Sequence, residues 1–158
     1  MIREALPPRI NREFAAMMKT VALSALTALT MGLPATTAFA GDAALGEAAW
    51  RGCRSCHGIT ADDGTVIQRG GRSGPNLYGV AGRAVAAVDG YGYSEPLTQY
   101  AATGATWTEE TFVEYVQDPT TFLRTHLDDA TVRSAMNFRL LTGAEDMYAY
   151  LQSVVPAE

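Results

Sequence analysis

Cys53-Arg54-Ser55-Cys56-His57 is the stretch on which the reading of this 158-residue chain turns. Cysteines three positions apart fall on one side of a helical turn, so both sulfurs can reach a single planar partner. A histidine directly after the second cysteine is held beneath that partner, with an imidazole nitrogen available to a metal. C-x-x-C-H is the spacing of covalent c-type haem attachment. It nominates Cys53 and Cys56 for two thioether links and His57 for one axial position on iron.

Two other chemistries use the same residue types. A C-x-x-C pair can be a redox dithiol, but such sites belong to a strand-helix context, and nothing in the chain suggests a βαβ unit. Zinc needs four ligands, and the two cysteines are joined only by two histidines, His57 and His126. Using all four would force the adjacent Cys56 and His57 onto one tetrahedral ion, unlike the separated pairs of ordinary zinc modules.

Upstream, residues 1–40 read as a leader. Arg3, Arg9, Arg12 and Lys19 precede the apolar run Val21 to Leu33, and Ala38-Phe39-Ala40 supplies a small-residue cleavage site. The expectation is a signal peptide over 1–40, a single domain over 41–158 and a periplasmic location. Met17 or Met18, followed at once by Lys19, would make a more ordinary start. Were the segment retained it would act as a membrane anchor. Ser24, Gly32, Pro34 and several threonines dilute it below the roughly 20 strongly apolar residues that a spanning helix wants.

The chain carries 12 basic and 17 acidic residues, a net charge of −5. The leader holds four of the basic and two of the acidic ones, which leaves residues 41–158 with eight and fifteen, a net charge of −7. All eight remaining basic residues are arginine. That balance argues against nucleic acid or anionic membranes as partners and suits a basic protein surface. With both cysteines in one motif, no disulfide is available.

The rest of the domain reads as short helices separated by loops. Asp42 can cap a helix running through Leu45, Ala49 and Trp50 towards Cys53. A Gly-rich polar stretch from His57 to Gly74 reads as loop, and one or two helical turns are expected near Glu95 to Ala101. A helix begins near Thr106 or Thr108, presents Phe112, Tyr115 and Val116 on one side, and stops by Asp118, before Pro119. Thr142-x-x-Glu145 reads as a capping box for a last helix carrying Ala144, Met147, Tyr148, Leu151 and Val155 at helical spacing. No run alternates as a strand, so an all-α domain follows. Loops this long need an organiser, and a large apolar cofactor would serve.

Beyond C-x-x-C-H, an ordered set of motifs spans residues 42–155: Gly46 to Trp50, Gly74-Pro75-Asn76-Leu77, Gly82-Arg83, Gly90-Tyr91-Gly92-Tyr93, Thr106-Trp107, Asp118-Pro119, Met136-x-Phe138 and Tyr148-Ala149-Tyr150-Leu151. In this order they resemble a class I cytochrome c of the bacterial cytochrome c2 and mitochondrial cytochrome c branch. The resemblance implies an all-α class I cytochrome c fold, wrapped around one covalently bound haem c. It implies that Met136 is the sixth ligand of the iron, with His126 as the rival; Met147 sits on an apolar helical stripe, where it reads as core. It also implies that the Pro75 carbonyl takes the free ring N–H of His57, that Arg83, Tyr93 and Trp107 supply donors towards the buried haem propionates, and that Tyr115 lies near the methionine ligand.

The function so implied is one-electron transfer by a monomeric periplasmic carrier, without enzymatic turnover. Its partners would be redox proteins: membrane cytochrome complexes, a terminal oxidase or reductase, or a periplasmic dehydrogenase. The alternative is a haem-based gas-binding or peroxidatic protein, which requires Met136 to be off the iron. Two departures from the family stand out. Residues 41–158 lack the lysines that typically ring the haem edge, and the stretch from Pro119 to Met136, with Arg124, Asp128, Asp129 and Arg133, is longer than in the mitochondrial proteins.

Overall fold

The computed structural model describes residues 41–156; the leader reading of 1–40 and its start at Met17 or Met18 lie outside the described residues. Five short α-helices carry the fold in the order α1 Ala43–Ala49, α2 Glu95–Ala101, α3 Glu109–Gln117, α4 Pro119–Leu127 and α5 Ala144–Ser153. A 3₁₀ turn, Trp50–Gly52, extends α1 towards Cys53. Asp42 caps α1 as expected, its carboxylate accepting from the N–H groups of Ala44 and Leu45.

The terminal helices pack on one another, and α3 leans on α5 while α4 rests on α2 and α3. Gly46 makes the first of these contacts possible. It is buried at the crossing, and a Cβ there would collide with the carbonyl oxygen of Asp146 on α5. The Asp42 N–H also donates to Asp146 Oδ1 at 2.7 Å, which pins the start of α1 to the first turn of α5. The core between the helices is aromatic: Phe122 sits edge-on to Tyr100 and Tyr115, and Trp107 lies 4.9 Å from Tyr115 between ring centroids.

Two expectations need correction, and one helix was not foreseen. The stretch after His57 is not all loop, because β1 Ile59–Thr60 and β2 Val66–Gln68 form a small antiparallel ribbon. Alternation over two or three residues is too short to register in a sequence pattern. The segment after Pro119 begins with a full helix, α4. Asp118 both ends α3 and caps α4, its Oδ1 accepting from Thr121 N–H at 3.0 Å, and Pro119 occupies the first turn, where its missing N–H costs nothing. The capping box does not form. Gly143, with φ +73°, is the residue before α5, and its left-handed conformation displaces Thr142 from the capping position.

Among the described residues, no helix is long and apolar enough to cross a membrane.

Candidate functional site

The chain around Cys53-x-x-Cys56-His57 is wound by backbone bonds that follow from its sequence. Cys53 N–H returns to the Trp50 carbonyl, and both Cys56 and His57 N–H groups return to that of Cys53. The segment Gly70 to Gly74 then folds back over this turn, with Gly71 N–H on the Arg54 carbonyl at 2.9 Å and Gly74 N–H on that of Cys56 at 2.8 Å. So close an approach demands glycine at position 74, where a Cβ would strike Cε1 and both nitrogens of the His57 ring. The next residue completes the seat: His57 Nδ1 lies 2.8 Å from the Pro75 carbonyl. A carbonyl can only accept, so Nδ1 carries the proton and Nε2 is left with its lone pair.

Against this wall opens a cleft of ≈ 330 Å³ that is largely apolar and lined with no carboxylate. All nine residues singled out in the sequence line it: Cys53, Cys56, His57, Pro75, Arg83, Tyr93, Trp107, Tyr115 and Met136. They arrive from seven separate places along the chain. Met147, read as core, is 1% exposed and also reaches the lining. His126 does not. It sits in the last turn of α4, bonded to Glu114 at 3.1 Å and packed at a tilt against Phe122, 4.2 Å between ring centroids. It is held on the helical framework rather than free in solvent.

The cleft's charges and donors were set by burial. Burial lowers the proton affinity of the His57 imidazole, with the Pro75 carbonyl opposing, and so favours the neutral ring that a metal needs. The Cys53 thiol is pushed up to about 11, first by burial and then by the neighbouring Cys56. Cys56, at the surface, is shifted down by hydrogen bonds from Ser73 and Ser55. Neither sulfur is in a disulfide.

Arg83 gives Nη1 to the Tyr78 carbonyl at 2.7 Å and Nη2 to the Asn76 carbonyl at 3.3 Å, while its buried Nε has no partner. Burial also weakens the hold of this guanidinium on its proton, offset in part by Tyr93 and Asp62. The Tyr93 hydroxyl accepts from Val88 N–H at 3.2 Å, which leaves its own proton to give. An unpartnered buried donor in the wall of an apolar cleft calls for an acceptor, and the carboxylates of a haem are such acceptors. The residues present therefore fit the group: two sulfurs, a seated imidazole, a thioether, an apolar interior and a spare donor.

Two contributors were missed in the sequence. Ser134 is buried, with its hydroxyl 3.1 Å from Met136 N–H and 3.4 Å from the Tyr115 hydroxyl. Tyr91 lines the cleft, stacks edge-on against Tyr93 and donates to the Ser73 carbonyl at 2.6 Å. Ser134 left no periodic signal to find; Tyr91 stood in the quoted Gly90-Tyr91-Gly92-Tyr93 motif without a role.

No model of a known protein family matches the chain. Individual proteins do. Cytochrome c2 of Rhodobacter capsulatus is 45% identical over 135 residues, covering 85% of this chain and 98% of that protein. Cytochrome c-550 of Paracoccus denitrificans is 41% identical over 141 residues, covering 88% and 90%. Among solved structures, that of cytochrome c2 from Rhodobacter capsulatus superposes with a TM-score of 0.71 at 46% identity, over 73% of this chain and all of that one.

Proposed function

The chain belongs to the class I c-type cytochromes, in the cytochrome c2 branch, and from that premise we propose how its own residues serve the single haem c it carries. It is a monohaem electron carrier with the all-α fold of that class. The haem supplies one iron that passes between ferric and ferrous states, hence one electron at a time.

Cys53 and Cys56 hold the haem by thioether links. His57, its Nδ1 committed to Pro75, would offer Nε2 to the iron, and Met136 would offer its thioether sulfur. Arg83 Nε, the Tyr93 hydroxyl and the Trp107 indole N–H take the propionates. Tyr115 lines the cleft with Met136, and the apolar lining would exclude water from the haem. Its cytochrome c2 and c-550 relatives support the reading of the chain as a carrier rather than an enzyme. The gas-binding or peroxidatic alternative has no observation in its favour.

Residues 1–40 are proposed to direct export to the periplasm and to be removed there. Its partners are other redox proteins, whether membrane cytochrome complexes, a terminal oxidase or reductase, or a periplasmic dehydrogenase, met by a monomer in brief encounters.

The observation that carries this reading is the convergence of all nine residues on one cleft around a histidine whose second nitrogen is already bonded. Met136→Ala tests it. The reduction potential should fall, because the thioether favours ferrous iron, and the near-infrared methionine-to-iron charge-transfer band of the ferric protein should vanish. An unchanged band and potential would assign the sixth place to another residue, and the same measurement on His126→Ala would then show whether it is histidine.

A further inference from the structure

We propose that Tyr148 is a positioning residue for the haem carboxylates: its hydroxyl, reaching out from α5, fixes the short backbone ladder that carries Arg83 and Trp107 as a pair. This rests on the reading of those two side chains as propionate donors. The pair is built in the backbone. Gly82 N–H donates to the Trp107 carbonyl and Trp107 N–H to that of Arg83, both at 2.8 Å, and Val85 N–H reaches the Ala105 carbonyl at 3.0 Å. Ala84 and Thr106 face one another between these bonds as an isolated antiparallel bridge. The two donors thus leave neighbouring segments whose spacing the ladder sets.

A ladder of so few bonds holds poorly by itself. Two hydroxyls tie it to the helices. Thr111 Oγ1, in the first turn of α3, donates to the Thr106 carbonyl at 2.9 Å. Tyr148 makes the buried tie: its hydroxyl donates to the Trp107 carbonyl at 3.1 Å, and its ring packs against that of Phe112 on α3, 5.5 Å between centroids. A carbonyl oxygen has two lone pairs, and here Gly82 takes one and Tyr148 the other. Burial lifts the phenol above the ordinary tyrosine range, with the Gly82 N–H opposing, so the hydroxyl keeps the proton it donates.

The hydroxyl is the informative part of this side chain. Tyr148 lies on the apolar stripe of α5 and is 9% exposed, a place where phenylalanine would pack as well and would leave no polar atom to satisfy. Its bond goes to the backbone of the very residue whose indole lines the cleft. Tyr150, two residues further along the same helix, accepts instead from Gln68 Nε2 at 2.7 Å and ties α5 to the strand ribbon. One helix thus spends two hydroxyls on two different jobs.

The test follows hydrogen exchange at the two indole N–H groups by NMR in ferrous holoprotein. Trp50 and Trp107 are the two tryptophans of the chain and both are buried, but Trp50 Nε1 has no partner, so it reports the framework while Trp107 reports the propionate contact. Tyr148→Phe leaves the Trp107 carbonyl its bond from Gly82, so no buried group is orphaned. Exchange at Trp107 should quicken about tenfold, the scale of one lost hydrogen bond, with Trp50 changed by less than about threefold. Tyr150→Phe, which removes a hydroxyl from the same helix, should leave Trp107 within about threefold of the parent. An unchanged Trp107 in Tyr148→Phe, an equal rise at both indoles, or as large a rise at Trp107 in Tyr150→Phe would each overturn the proposal and leave the hydroxyl a general support of α5. If Trp107 in the parent exchanges no more slowly than the unpartnered Trp50, the propionate reading fails and the proposal with it; a protected Trp107 that ignores Tyr148→Phe sinks the proposal alone.

Discussion

At the scale of single residues, the site is built by exclusions as much as by donors. Gly74 is there because the His57 ring occupies the space that a Cβ would fill. Gly92, in the same domain, has open space around its Cα and no positive φ. Alanine should therefore act with opposite signs at the two places. Gly92→Ala should stabilise slightly, by up to about 1 kcal/mol through the unfolded chain, whereas Gly74→Ala should destabilise the holoprotein by about 2–4 kcal/mol as the ring is pushed from its seat. Urea unfolding of the two variants beside the parent decides it, and coincident midpoints would refute the steric account. What the sequence made legible here was whatever carries its own chemistry in a fixed spacing, the two sulfurs and His57; Met136 was reached only through the family resemblance. Ser134 was illegible because its burial and its bonds to Met136 and Tyr115 exist only after α4 has folded back.

Among the elements, α4 shows how one residue can serve two helices. Asp-Pro was legible as the end of α3, yet the same dipeptide opens α4, with Phe122, Leu123 and Leu127 following at helical spacing. The strand ribbon was too short to see, and the capping box failed because Gly143 took a left-handed conformation that no pattern of side chains announces. Asp118 also gives α4 an acid sensitivity. Its carboxyl lies below the usual aspartate range, chiefly through the Thr121 N–H and with help from Arg139, 3.0 Å away. A depressed folded value means that stability is gained above the unfolded value of about 3.9 and lost as pH falls through the folded one. Asp118→Asn keeps a capping side chain but removes the titration and the arginine pair. The parent should lose more stability than this variant between about pH 5 and 2. Asp63 and Asp129 titrate with the same sign in both proteins and so cancel in the comparison. Denaturant midpoints measured across that range test the idea, and parallel profiles would exclude Asp118 as a source of acid lability.

Over the whole molecule, the charge of residues 41–158 is net acidic but unevenly spread. Arg51, Arg54, Arg69 and Arg72 all fall between residues 51 and 76, where the acids are Asp62 and Asp63 alone. None of these four arginines, nor Arg133, takes part in a side-chain hydrogen bond or ion pair among the described residues, whereas Arg83, Arg124 and Arg139 do. The exposed residues at the cleft, among them Ser55, Cys56, Ser73, Ala135, Asn137 and Phe138, are uncharged, and no carboxylate lines the cleft. A partner thus meets different charges at different ranges. At about 0.01 M salt the screening length is near 30 Å and the whole acidic molecule is felt; at about 0.1 M it is near 10 Å and only the arginine-flanked mouth remains. Against an acidic partner, electron-transfer rates should first rise with salt, as net repulsion is screened, and then fall as the local attraction is screened in turn. Against a basic partner the curve should be the mirror image, with an early fall followed by recovery. Stopped-flow transfer to one partner of each kind, across ionic strength, reads both curves. Substituting Arg54→Glu should erase the late fall with the acidic partner while leaving the early rise, because it changes the mouth far more than the total. Rates indifferent to salt with both partners would mean instead that docking is governed by apolar contact around Phe138 and the cysteine edge, with charge playing no part in the choice of partner.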